Sequence, residues 1–525
     1  MGIHNKPARN MGRRQAVWAR LLALAAVPVS MLDPSISVAD EPPQYVAAAP
    51  LSDYLAGQDS WGDPAVALAP ASKAGGPISQ EASLAQRVEA LEQYIREQEA
   101  KTREAEEGLP AAERKTGAAN ECAPKKVDIL VKPTFQPLGR IYFDGVVYDD
   151  DNEAADFFAT DRNNELGFRT FRIGGKGNIY ENLAYTLEVE LRGTDISYKD
   201  IYMEQQSLPW FGNFRAGHFK EPIGLEEFGS DLFNTFMEKV PATSTFAPSR
   251  NFGVMVYDRF DERDEATWFA GLFRADSPDV PVSTGLWRDD RNDWSFSGRL
   301  AWLPYYDEPS NGRFLVHLGG SYSYRKTADV FGNQNVAANG NGLAEFSTRA
   351  WVGSQAPIGV GAEGNSDAWN QLGGELLVIW GALSLQSEYF HAILTSGEDF
   401  NGAYVLVSYF LTGENRAYRK DRKVIDRTVP FEPAFWIDAA EGWRCGLGAW
   451  ELAAGYSFVD LESGHDISAT RQRAFVDGIV FGVNWYHNPW SRLTFDYTHE
   501  MSDFVAALTP DSNANIFGIR WQVDW

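Results

Sequence analysis

The last nine residues, FGIRWQVDW (517–525), alternate without a break: Phe517, Ile519, Trp521, Val523 and Trp525 on one side, Gly518, Arg520, Gln522 and Asp524 on the other. A period of two is that of a β-strand, whose successive side chains point to opposite faces. One face is apolar and aromatic, and the other carries charge and amide. The constraint lies in how often the chain repeats this pattern and in which solvent the apolar face meets.

The repeats are many. YTLEVELRG (185–193) sets Tyr185, Leu187, Val189 and Leu191 against Thr186, Glu188, Glu190 and Arg192. SFSGRLAWLP from Ser295, LSLQSEYFHA from Leu383 and RLTFDYTHE from Arg492 do the same. Runs of this kind predict about sixteen strands over 138–525. Tight turns such as 179–182, 260–264 and 380–382 alternate with long segments such as 220–250 and 326–372. One connection, 412–445, is long where the alternation asks for a short turn.

A face holding Glu188, Glu190 and Arg192 cannot line a dry core without a cost of several kcal/mol per unpaired charge. Lining a wet lumen avoids that cost, and the apolar face then meets lipid. Lipid cannot satisfy an open sheet edge, so the sheet must close. The expected fold is all-β: a transmembrane antiparallel barrel of about sixteen strands, an even number with loop asymmetry of the outer-membrane kind. Tyr142, Trp210, Tyr305, Tyr306, Trp380, Trp485 and Trp490 are expected at the aromatic girdles. A secreted sandwich or propeller shares the binary pattern but not the strand count, the loop asymmetry or the aromatic C-terminus.

The N-terminus reads as an address. Arg9, Arg13, Arg14 and Arg20 flank a short apolar run, and Ser37-Val38-Ala39 suits cleavage before Asp40, so 1–39 is read as a signal peptide. Residues 40–78, rich in Ala, Pro, Ser and Gly, are read as a flexible linker. In 79–108, Leu84, Val88, Leu91 and Ile95 give a short a/d seam, predicting a coiled-coil helix that oligomerises. A second linker, 109–137, leads to the barrel at 138–525. The formal charge of −25 argues against nucleic acid, whose phosphates need clustered Lys and Arg. Two cysteines, Cys122 and Cys445, make no disulfide scaffold, and no zinc-type spacing, HExxH, GxSxG or P-loop occurs. The expectation is therefore no enzyme, no metal and no cofactor.

Several stretches add a resemblance. GHFKEPIGLEEF with TFMEKVPATSTFAPSRNFGV (within 217–254) and SYFLTGENRAY (408–418) carry it most specifically, alongside FRTFRIGGKGNIYENLAYTLEVEL (168–191) and the last strand. They resemble the phosphate-selective porin O and P family, trimeric sixteen-stranded outer-membrane channels. The resemblance implies that the segment Lys220 to Arg250 folds into the lumen as a constriction loop. Cations there would replace part of an anion's hydration shell and repel other cations. The expected pore-constriction and anion-binding residues are Lys220, Arg250 and Lys239, with Arg215, Arg192, Arg299 and Arg520 on the walls. Strict alternation puts Arg192, Arg299 and Arg520 on polar faces, while Arg215, Arg169 and Arg172 face inward only if bulges turn them.

Against this stand Glu221, Glu226, Glu227, Asp231 and Glu238 in the same loop, and Pro222-Ile223-Gly224 where phosphate-selective members carry hydroxyl donors. A second basic run, Arg416 to Arg427, is read as a solvated loop rather than a steering patch. DDDNEAAD (149–156) is a weak candidate for divalent ions bridging to lipid, and GGKG (174–177) is read as glycines on a crowded wall rather than a phosphate loop. The sequence thus predicts an exported outer-membrane porin for passive diffusion of small hydrophilic solutes with an anion bias, phosphate or polyphosphate among them. Its partners would be outer-membrane lipid, small anions such as phosphate, and two further copies in a homotrimer. The alternative is a structural or adhesive barrel with an occluded pore.

Overall fold

Sixteen antiparallel strands close into one ring. The computed structural model describes residues 133–150, 156–157, 162–192, 196–260, 262–274, 294–326, 344–348, 352–355, 360–364, 366–439, 442–468, 471–506 and 508–525. The signal peptide, both linkers up to residue 132, the coiled-coil helix and most of the acidic run at 149–156 lie outside the described residues.

In chain order the barrel strands are β1 (Gln136–Asp150), β2 (Glu165–Tyr180), β3 (Leu183–Glu190), β4 (Ser197–Leu208), β5 (Gly212–Lys220) and β6 (Arg250–Arg259). They continue with β7 (Ala266–Phe273), β8 (Trp294–Tyr306), β9 (Phe314–Lys326), β10 (Ala368–Trp380) and β11 (Leu383–Leu394). The last five are β12 (Asp399–Phe410), β13 (Ala449–Asp460), β14 (Ala474–Asn488), β15 (Ser491–Phe504) and β16 (Ser512–Asp524). β1 closes the ring on β16, with Arg140 opposite Asp524 and Asp150 opposite Ala514.

The alternation predicted at the C-terminus is realised as an inverted protein. Trp521 is 55% exposed and Phe517 52%, whereas Arg520 between them is 3% exposed. Glu188 and Glu190 are buried while Leu187 is exposed. Apolar side chains therefore face outward and charged ones inward, as a barrel with a polar lumen requires. Trp210, Tyr305, Trp380 and Trp490 stand exposed near strand ends, as expected of a girdle. Tyr142 does not: it is buried on the lumen side, beneath the Arg520 guanidinium at 4.7 Å, because its place in β1 is two from Arg140 and Asp144, both inward. The GGKG glycines lie within β2, where a Cβ on Gly174 would come 2.1 Å from the Leu187 carbonyl oxygen.

Two inserts fill much of the lumen. Residues 221–249 link β5 to β6 and carry α1 (Leu225–Phe228), a 3₁₀ turn (Asp231–Phe233) and α2 (Pro241–Phe246). Phe246, with Phe346 and Val360 from the β9–β10 connection, joins Trp369, Phe390, Phe400 and Val480 in one apolar cluster. That cluster packs against the inner face of β10–β14 and continues to Phe504 on β15, Ile516 on β16 and Val146 on β1, an apolar wedge inside a polar barrel. The other insert lies between β12 and β13, at the short-turn end, and accounts for the long connection that the alternation left unexplained.

Candidate functional site: a cation-lined neck in the lumen

The loop 221–249 has little regular structure, so its backbone polar groups need partners from elsewhere. The opposite wall provides them. Glu388 on β11 accepts the N–H groups of Leu225 (2.6 Å) and Glu226 (3.0 Å), a carboxylate at the start of α1. Asn484 of β14 donates to Thr235 O (2.8 Å), Arg492 of β15 to Asn234 O (2.7 Å) and Gln522 of β16 to Leu232 O (3.1 Å). Gln371 of β10 donates to Phe246 O at 2.8 Å. The turn into α1 is made at Gly224, whose φ of +73° suits glycine, and Pro241 stands at the first position of α2, where its missing N–H costs nothing. The loop is thus laced across the lumen from β5 to β10–β16, as the constriction-loop expectation required.

The second insert, residues 411–448, enters from the short-turn end. Tyr418–Arg419 pairs antiparallel with Val424–Ile425. Tyr418 and Ile425 pack with Leu225, Leu303, Leu315 and Leu377, and the Tyr418 hydroxyl lies 2.7 Å from His317 Nδ1. Arg416 donates to Gln386 Oε1 (2.8 Å), Lys423 Nζ to Asp264 O (2.5 Å), and Arg422 lies 3.6 Å from Glu204. Arg427 pairs with Asp524. The expectation of a solvated loop for this basic run is therefore corrected. Arg416, Arg422 and Lys423 find acceptors inside the barrel and its apolar residues bury against α1, while Arg419 and Lys420 pair with the exposed Asp421 and Glu308.

Two cavities lie between the inserts and the arc of wall along β16 and β1–β6. One cavity of about 160 Å³ is bordered by Arg169, Arg172, Lys199, Lys239, Arg250 and Arg520, with Asp231 and Glu238 as its acids. A second, of about 190 Å³ and nearer the short-turn end, is bordered by Arg140, Arg215, Lys220, Arg250, Arg419 and Arg422, with Asp200 and Asp426. Arg250 is common to both, so eleven cations face four carboxylates. The cavities meet at a node. Lys220 Nζ donates to Asp231 (2.8 Å) and to Gly229 O (2.6 Å), Lys239 Nζ donates to Glu227 (2.5 Å) and lies 3.1 Å from Asp231, and Arg172 approaches Asp231 at 3.6 Å.

Of the predicted residues, Lys220, Lys239, Arg250, Arg215 and Arg520 come together on this arc. Arg250 chelates Asp200 (2.8 and 3.1 Å), Arg215 holds Glu204 (2.5 Å) and Arg520 bridges Asp144 (2.6 Å) and Glu238 (2.7 Å). Two do not join them. Arg299 is sealed against Glu375 (2.7 Å) and borders neither cavity, because Tyr418 and Lys423 of the second insert cover it. Arg192 lies past the end of β3 and is exposed, so strand alternation does not extend to it.

Arg169 and Arg172 are brought in by a bulge. Tyr142 pairs with Thr170 but Phe143 with Phe168, which leaves Arg169 as the extra residue and lets it reach Glu238 (2.9 Å) while Arg172 also faces inward. Arg140 was legible in β1 from its spacing to the inward Asp144, Arg419 and Arg422 lie in the basic run read as a solvated loop, and Lys199 gave no signal. Burial alone would raise the Asp231 carboxyl, yet Lys220, Lys239, Arg250 and Arg172 together hold it well below the usual carboxylate range. Glu226, buried on α1 and less compensated, is pushed up to about 7 by burial.

A family profile, phosphate-selective porin O and P, matches residues 141–525. The chain belongs to that family. It is an outer-membrane porin, and its barrel is a channel. The porin aligns with an uncharacterized protein of Caulobacter vibrioides at 25% identity over 379 residues, 68% of each chain. With Porin O of Pseudomonas aeruginosa it shares 23% identity over 381 residues, 68% of this chain and 81% of that one. Among solved structures it is similar to an anion-selective porin from Comamonas acidovorans at 12% identity and a TM-score of 0.43, over 75% of this chain and 100% of the other.

Proposed function

We propose that this porin conducts small hydrophilic solutes passively along the arc between β16 and β6, with a bias for anions. The observation that carries the reading is that eleven cations but four carboxylates border the two cavities, while Asp144, Glu188, Glu190, Glu204 and Glu227 pair with those cations from outside the lining, in a chain whose total charge is −25. Fixed lumen charge, not total charge, decides which ion is concentrated in a narrow pore. Lys220, Lys239 and Arg250 are all engaged by protein carboxylates, which favours passage of many small anions, phosphate among them, over capture of one. We read the porin as a homotrimer with 40–137 as a periplasmic extension, its heptads supporting assembly.

The test is the reversal potential of purified protein in planar bilayers under a potassium chloride gradient. The wild type is expected to reverse toward the chloride equilibrium potential, and K220Q and R250Q to move toward zero. Reversal toward potassium would sink the reading, and absence of conductance would favour the occluded barrel. Deleting 79–108 and weighing the particle in detergent tests the role of the heptads.

A further inference from the structure

Asp231 occupies an unusual place. Its Oδ1 takes a hydrogen bond from Lys220 at 2.8 Å and pairs with the Lys239 ammonium at 3.1 Å, and its Oδ2 lies 3.6 Å from Arg172. Three cations converging on two oxygens is the coordination a free oxyanion would seek. The carboxylate also stands where the cavities meet: Asp231 borders one, Lys220 the other. Its side chain keeps 19% of its surface exposed, unlike Glu221 (0%) and Glu375 (1%), whose pairs are sealed. Its backbone is pinned, since Ser230 Oγ accepts Leu232 N (3.4 Å) and Gln522 and Arg492 hold the carbonyls of Leu232 and Asn234.

We propose that the Asp231 carboxylate is a tethered counter-ion that occupies the anion centre formed by Lys220, Lys239 and Arg172, and so sets how tightly a passing anion is held at the neck. This rests on the anion-biased reading above and adds the residue that tunes it. A ligand tethered by one side chain competes at an effective concentration of about millimolar or more. A diffusing chloride or phosphate therefore exchanges with Asp231 and binds weakly, as conduction demands, because a site that holds its ion too well passes none. Without the carboxylate Lys220 and Lys239 would share Glu227 while Arg172 keeps Glu190, and a multivalent anion would lodge where Asp231 stood.

The experiment compares wild type, D231N and D231N/K220Q in planar bilayers, with chloride current and its block by added inorganic phosphate as readouts. D231N is expected to lower the half-blocking phosphate concentration roughly tenfold or more and to make chloride conductance saturate at lower salt. The double variant is expected to return toward the wild type. Unchanged or weaker block in D231N overturns the proposal, as does a gain that persists without Lys220. Should D231N fail to assemble, K239Q answers the same question: it keeps the carboxylate and removes one of its cations, so it should weaken anion preference, and an unchanged reversal potential counts against the proposal. Wild-type reversal in the same recordings reports separately on the anion bias, so the two ideas fail independently.

Discussion

The Asp496 carboxylate on β15 accepts the backbone N–H of Met237 at 2.7 Å, although 259 positions separate the two residues. The bond crosses from the barrel wall to the loop that narrows it. D496A removes the acceptor and leaves a buried N–H without this partner, a loss of about 1–3 kcal/mol. Loop closure is then weaker, and single-channel records should show more frequent current fluctuations than D496N, whose amide oxygen still accepts. Equal noise in the two variants would argue that the loop is held elsewhere.

Glu226 makes closure depend on pH. Its carboxyl is pushed from 4.5 up to about 7 by burial in the folded loop. The closed loop therefore binds this proton more tightly than an open one, so the contribution to closure is complete below about 4.5 and is lost as pH rises through about 7. Amide exchange across 225–247, corrected for its intrinsic pH dependence, should show protection falling between pH 5 and pH 8. E226Q should flatten that dependence.

The loop rests on a glycine floor. A Cβ at Gly482 would lie 2.9 Å from Phe236 Cε1 and 2.8 Å from Asp496 Oδ1. Overpacking of this kind costs roughly 1–3 kcal/mol. G482L should lift the loop off the wall toward the open arc and lower single-channel conductance. G374L, where a Cβ meets nothing within 4 Å, should leave it unaltered.

Arg299 and Lys220 should separate cleanly. Arg299 is buried against Glu375, with His317 Nε2 at 3.2 Å from the same carboxylate. R299Q strands that charge at a cost of about 3–5 kcal/mol, so the folded barrel should lose heat resistance in detergent while its reversal potential stays put. K220Q should do the opposite. A shift in selectivity in R299Q would return Arg299 to the conducting path.

Much of this architecture could be read from the chain before any coordinates. The period of two survives over 517–525 because every inward position there is polar or small and every outward one apolar, so Arg520 was placed by counting alone. The loop 221–249 was legible through its likeness to relatives, and its acids warned that the cations would be paired. What escaped depends on contacts between distant segments. Arg169 turns inward through a one-residue bulge opposite Tyr142, which no local pattern announces. The run from Arg416 to Arg427 has the composition of a solvated turn, and its destination is set by acceptors such as Gln386 and Glu204 on remote strands. Arg299 satisfies the alternation perfectly, yet a lid from another insert removes it from the pore.

The apolar wedge, centred on β10–β14, and the cation-lined cavities give different parts of the ring different obligations. Substitutions among Trp369, Phe390 and Phe400 answer to folding, because they touch a core that no solute visits. Substitutions among the cavity-lining cations of β16 and β1–β6, such as Arg520 and Arg215, answer to traffic, because they border the two cavities. A lineage of such barrels could therefore drift in what it admits by altering the cation-lined part of its circumference, while the wedge, acting as a fixed keel, keeps the molecule assembled.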